Sequence, residues 1–129
     1  MSARYEIIRG IDGFHFELRS GASLPLLTSG ARASLALCKG RIASARMISD
    51  APLEDTRGYT GEPTEVLKFP KYRFERMPSG RYTFSLWAKN GKKLASGPAC
   101  ATISSALDAL AAARREARYA PVSEKIGGV

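Results

Sequence analysis

Apolar and polar residues alternate with a period of two near the start of the chain. Tyr5 and Ile7 flank Glu6, and Phe14, Phe16 and Leu18 are separated by His15 and Glu17. This period marks strands that bury one face. Asp12-Gly13 lies between the two runs and has hairpin-turn chemistry, because glycine accepts a positive φ. The same grammar returns later. Tyr72 and Phe74 precede Ser79-Gly80, and Tyr82, Phe84 and Leu86 follow it. A further turn at Asn90-Gly91 leads into Lys92-Lys93-Leu94-Ala95-Ser96, where the first stretch has the looser Ser20-Gly21-Ala22-Ser23. Pro25, in the third expected strand, marks an edge position or a strand start, since it has no N–H to give a neighbour.

The period then lengthens. Ser34 and Thr102 are good helix N-caps. After them Leu35, Cys38, Ile42 and Ala45, and likewise Ile103, Ala106, Leu110 and Ala113, fall on one helical face. The spacing predicts helices over 34–47 and 102–118. Arg46, and then Arg114, Arg115 and Arg118, sit in the last turns, where cations suit the negative end of the helix dipole. Pro52 and Pro121 stop the two helices, and short extended pieces are expected at 53–56 and 122–125.

Aligned with each other, the two stretches form an internal repeat. Tyr5 corresponds to Tyr72. After one extra residue in the second copy's first turn, Phe14, Phe16 and Leu18 correspond to Tyr82, Phe84 and Leu86, and Leu26 to Leu94. The register continues through Ser34 with Thr102, Cys38 with Ala106, Ile42 with Leu110 and Arg46 with Arg114. Repeat one spans 4–55, a connector 56–69, and repeat two 70–126. One such unit has a sheet with one apolar face and a single helix, too little for a core of its own. The expected fold is therefore α+β: two tandem β-β-β-α(-β) repeats forming one antiparallel sheet, with both helices on one face and pseudo-twofold symmetry in a single domain.

The order of these pieces resembles the YegP-like family of small, uncharacterised bacterial proteins. The residues that carry the likeness are Gly80-Arg81-Tyr82-Thr83-Phe84-Ser85-Leu86, Asn90-Gly91, Leu94-Ala95-Ser96 and Ile42-Ala43-Ser44-Ala45-Arg46. The resemblance implies one sheet built from two β3-α-β units that exchange their last strands, here within one self-contained, monomeric chain. It brings no activity and no catalytic residues. This chain departs from the family pattern at Arg32 and Cys100, where an aromatic usually precedes the helix cap. It departs again at Arg41 and Ala109, one of the helix positions that is usually glycine. Asn-Gly is also absent from the first copy.

Composition narrows the function. Of 129 residues, 44% are hydrophobic and 25% charged, which is a globular balance. No apolar run is long enough to span a membrane. The first residues do not lead into an apolar signal core, so a cytoplasmic protein with reduced thiols is expected. There are 20 Lys+Arg against 12 Asp+Glu, a net charge of +8. The acids concentrate between residues 49 and 67, so an acidic connector joins two basic halves. Two cysteines without Cys-x-x-Cys spacing and one histidine cannot build a zinc site, and Cys38 reads as a small core residue.

No catalytic constellation is present, and no glycine-rich phosphate loop. Neither enzyme activity nor a cofactor is expected. His15 is the only imidazole, and its parity places it away from the core, with Glu17 beside it. The repeat mate of Glu17 is Ser85, so there is no symmetric carboxylate pair. Trp87 is also outward by parity, with Arg73, Glu75, Arg81, Thr83 and Ser85 on its face and Arg19 on the same face of the first copy. Such a Trp can anchor a protein partner, stack on a base, or be covered by the connector or an exchanged strand. Lys89, Lys92 and Lys93 crowd the second hairpin. Two readings stand. One is a binding module contacting an unknown protein through the open sheet face or an edge, with Trp87, Arg73, Arg19, His15, Lys92 and Lys93 as interaction residues. The other is low-specificity nucleic-acid binding through the basic hairpin and the helix ends.

Overall fold

The alternation in the first stretch becomes a hairpin of β1 (Ala3–Gly10) and β2 (Gly13–Ser20), paired from Ala3 with Ser20 to Gly10 with Gly13. These coordinates come from a computed structural model, which describes residues 3–21 and 24–125. The chain continues through β3 (Leu27–Thr28), α1 (Leu35–Met47), β4 (Leu53–Glu54), β5 (Lys71–Arg76), β6 (Tyr82–Trp87), β7 (Lys93–Ser96), α2 (Ile103–Ala117) and β8 (Val122–Lys125). Gly13 has φ +119°, and a Cβ there would strike the Arg32 carbonyl, so the turn and the chain entering α1 both require glycine. The helices begin where the caps predict. The Ser34 hydroxyl accepts from Leu37 N–H at 3.2 Å and the Thr102 hydroxyl from Ser105 N–H at 3.0 Å.

All eight strands form one sheet in the order β4-β5-β6-β7-β3-β2-β1-β8. The two halves meet at its centre, where Thr28 pairs with Ser96. Pro25 lies two residues before β3, which is central, so of the two places its missing N–H allows it does not take the edge. The last strand of each half lies against the first strand of the other: β4 pairs with β5 and β8 with β1. Both of these pairings are parallel, so the sheet is antiparallel only through its six inner strands. The reason is local. Each exchanged strand enters the sheet at the end where its neighbour starts, and the Pro52 and Pro121 carbonyls accept from Tyr72 and Tyr5 N–H, both at 2.8 Å.

Tyr5, Ile7, Phe16 and Leu18 from one half and Tyr72, Phe84 and Leu86 from the other lie on one face and are fully buried. Cys38, Ile42 and Ala45 of α1 join them, as do Leu110, Ala113 and Ala117 of α2, in one continuous cluster. Both helices therefore cover the same face. Each buried large side chain contributes about 1.5–3 kcal/mol, and neither half could assemble this cluster alone.

The two halves are also stitched at the helix exits. The Tyr5 hydroxyl donates to the Ala117 carbonyl at 2.5 Å, and the Tyr72 hydroxyl to the Ser49 carbonyl at 2.8 Å. Arg46 stacks over the Tyr5 ring at 5.3 Å and donates to the Ala120 carbonyl at 2.7 Å. Arg114 stacks over Tyr72 at 5.1 Å and donates to the Ala51 carbonyl at 2.8 Å. Each of these arginines thus serves the exit of the other half's helix, beyond the dipole of its own. No helix among the described residues is long and apolar enough to cross a membrane.

Candidate functional site

The face opposite the helices carries the side chains that parity places there, and most of its charges are already paired. In the first half Arg4 meets Glu6 at 2.5 Å, Arg19 meets Glu17 at 2.8 Å, and His15 lies 3.4 Å from the same Glu17 carboxylate. In the second half Glu54 accepts from Lys71 at 2.6 Å and lies 3.2 Å from Arg73. The arrangement makes an array of neutralised pairs.

Trp87 lies on this face and is half-buried. Its indole N–H donates to the Ser85 hydroxyl at 2.8 Å, and Arg73 stands over the ring at 5.3 Å. Phe69, from the connector, packs 6.0 Å from it. Arg73 and Trp87 are therefore brought together, while His15 and Arg19 form their own group around Glu17 on the other half. Lys92 and Lys93 are exposed in the β6–β7 turn and the start of β7, and form no ion pair among the described residues. Lys93 is, however, the ladder partner of Trp87, so the six interaction residues of the sequence reading fall into an Arg73–Trp87–Lys93 group, a His15–Arg19 pair around Glu17, and Lys92 in the turn. Among the described residues, no three His, Cys, Asp or Glu side chains are grouped as metal ligands would be. Cys38 is buried and Cys100 half-buried, and both are free thiols. Burial raises both thiol pKa values, with Arg81 partly opposing the rise at Cys100.

The two ends of the sheet differ sharply. At β4 the connector wraps the edge. Glu54 is buried and accepts from Leu67 N–H at 2.7 Å, and the Lys71 ammonium donates back to the Leu67 carbonyl at 2.8 Å. Burial would raise the Glu54 pKa. The hydrogen bonds from Lys71 and Leu67, with the charges of Lys71 and Arg73, outweigh it and hold the carboxyl below its ordinary value. Asp55 organises the next turn by accepting from Tyr59 N–H, Thr60 N–H and the Thr60 hydroxyl. Burial opposes its ionisation too, but these bonds, with Gly58 N–H, prevail and lower its pKa.

At β8 nothing comparable covers the edge among the described residues. The strand is paired on one side only, with β1. Alternate residues of a parallel ladder bond alternate neighbours. Because the Pro121 carbonyl faces β1, the N–H and C=O groups of Val122 and Glu124 face outward. Beside them, between β8 and α1, runs a groove of about 420 Å³ lined by Lys39, Ile42, Ala43, Arg46, Val122 and Glu124. Lys39 and Glu124 close one wall with an ion pair of 2.6 Å, and Val122 leaves an apolar surface 40% exposed. The sequence pattern did not point to this groove. Its one signal was the strand expected after Pro121, without a sign that the strand's outer side is free.

Neither a family model nor a curated protein matches the sequence. Two solution NMR structures match the fold over nearly the whole chain. The yegP protein of E. coli, of unknown function, has a TM-score of 0.76 at 23% identity, covering 98% of this chain and 96% of that one. A UPF0339 protein of Shewanella oneidensis has a TM-score of 0.75 at 16% identity, covering 98% and 93%. The likeness to the YegP-like proteins read from the sequence thus holds for the three-dimensional structure, and this chain has the YegP-like fold.

Proposed function

We propose that this chain is a binding module, without chemistry of its own, that takes up an extended acidic segment of a partner protein along β8. The observation that supports this is the free outer edge of β8 lying directly against a largely apolar groove. Strand addition gains main-chain hydrogen bonds from such an edge, and adjoining pockets select side chains. The charge of the partner follows from α1. This helix has no acidic residue, Lys39 lines the groove with Glu124 of β8 as its partner, and the whole chain carries a net charge of +8. A segment with an apolar residue for the groove and an acidic one beside it is complementary.

The nucleic-acid reading has less support. Arg46 and Arg114 are engaged in the helix exits, Arg115 pairs with Glu116 at 3.0 Å, and the open face interleaves acids with its bases. A dodecamer peptide display library panned on the intact protein tests the proposal. Enriched peptides should alternate apolar and acidic residues. They should lose binding to Glu124→Pro, which removes an outward N–H, and keep it with Glu124→Ala, which retains that N–H and frees Lys39. Failure to enrich any peptide, or undiminished binding to Glu124→Pro, sinks the proposal.

A further inference from the structure

Three arginines gather on the helix side of the sheet, at the end where β1 turns into β2. Arg9 is the ladder partner of Phe14, and its guanidinium carbon lies 6.0 Å from the centre of that ring. Arg32 is Phe14's partner on the other side, through backbone hydrogen bonds of 2.8 and 2.7 Å. Directly paired residues send their side chains to the same face. Arg9, Phe14 and Arg32 therefore form a row on the face that carries Phe16 and Leu18. Arg41 of α1, two turns beyond Arg32, lines a crevice between that helix and Ala88, Asn90 and Leu94 of the second hairpin. Burial, and then the Arg32 charge, lower its pKa.

None of the three arginines forms an ion pair among the described residues, and Asp12, in the adjacent turn, pairs with none of them. The Arg32 Nε is shielded from solvent and has no hydrogen-bond partner among the described residues. A shielded donor left unmade costs about 1–3 kcal/mol, and two neighbouring like charges add to that cost. Arg19, Arg46 and Arg73, by contrast, are spent on carboxylates or carbonyls.

We infer that Arg32 and Arg41 form a binding site for the phosphate group of a small ligand, with Arg9 at its mouth. The planar guanidinium fork matches a tetrahedral oxyanion bidentately. A dianion between the two cations would satisfy the idle Nε and turn their mutual repulsion into attraction. The site is independent of the β8 groove.

Thermal unfolding of the intact chain tests this, with sodium phosphate compared against sodium chloride at equal ionic strength. Phosphate well above its Kd should raise the wild-type midpoint by about 5 °C over chloride. Arg41→Ala should hold or raise the midpoint in chloride, because a like charge is removed, and should lose the phosphate increment. Arg9→Ala should keep part of that increment, and Arg76→Ala, at the corresponding place of the second half, all of it. Equal midpoints in the two salts for the wild type, or a full increment in Arg41→Ala read against its own chloride midpoint, overturns the inference.

Discussion

The row Arg9–Phe14–Arg32 has a counterpart in the other half, Arg76–Tyr82–Cys100, with the same pairings. The first gathers two arginines in its row, with Arg41 beside them, whereas the second has Arg76 alone. In the second, Cys100 and Ala109 replace Arg32 and Arg41, and Tyr59 from the connector packs on Tyr82 at 5.8 Å and on Phe74 at 6.3 Å. The edges differ in the same sense. β4 is two residues long and clamped through Glu54, whereas β8 is four residues long and, among the described residues, has no neighbour on its outer side. One frame of strands and helices thus serves two ends. The connector closes the end that follows β4, and both proposed sites lie on the half it does not cover.

The most severe way to break this contrast is Glu54→Ala. It leaves the Lys71 ammonium, 5% exposed, without its carboxylate, and removing one member of a buried pair costs about 3–5 kcal/mol. Ser123 holds the corresponding place in β8, since Leu53 pairs with Tyr72 as Val122 pairs with Tyr5. Ser123→Ala should change stability by less than about 0.5 kcal/mol. Urea unfolding of both variants measures the difference. Equal losses would show that the connector clamp contributes nothing.

A smaller effect should be shared by both ends. Tyr5→Phe and Tyr72→Phe each remove a hydroxyl that donates to a helix-exit carbonyl. Each should cost about 1–3 kcal/mol, by urea unfolding at neutral pH. Burial raises both tyrosine pKa values, partly opposed by Arg46 at Tyr5 and by Arg114 at Tyr72. A group whose folded pKa is raised contributes stability that is complete below its ordinary pKa, about 10, and lost as pH climbs above it. The wild type should therefore weaken above about pH 10, and each Phe variant should show a shallower alkaline decline. If only one of the two variants does so, the stitching is not equivalent at the two exits.

Much of this frame was legible because it depends on short-range pattern. Parity placed Tyr5, Phe16 and Leu18 inward and His15 and Trp87 outward, and Ser34 and Thr102 set the helix starts. The parallel pairing of β4 and β8 left no such trace, because the direction of a strand's neighbour is fixed by where the helix exit delivers the chain. Phe69 on Trp87 and Tyr59 on Tyr82 depend on the path of the connector, which has no period to read. Arg46 and Arg114 stood out as helix-end cations, but their reach to Ala120 and Ala51 is tertiary. Arg32 and Arg41 were visible only as departures from a family pattern. Their meeting depends on how α1 lies on the β1–β2 hairpin.

The mildest test of the contrast uses acid. Glu54 and Asp55 both have depressed pKa values in the folded chain. Stability from such groups is present above the ordinary carboxylate range, about pH 4, and is lost as pH falls below it. Both groups tie down the connector, and neither touches the β1–β2 hairpin. Lowering the pH from 6 toward 3 should thus loosen residues 56–69 before the β1–β2 ladder opens. Native-state hydrogen exchange, corrected for the intrinsic pH dependence of exchange, reads this order. The amides of Thr60 and Leu67, which donate directly to the two carboxylates, should lose protection first, while that of Phe16, whose N–H is held by the Ser29 hydroxyl at 2.9 Å, stays protected. Simultaneous loss at all three would mean that the connector unfolds only with the sheet, and the two ends would then be one cooperative unit despite their different closures.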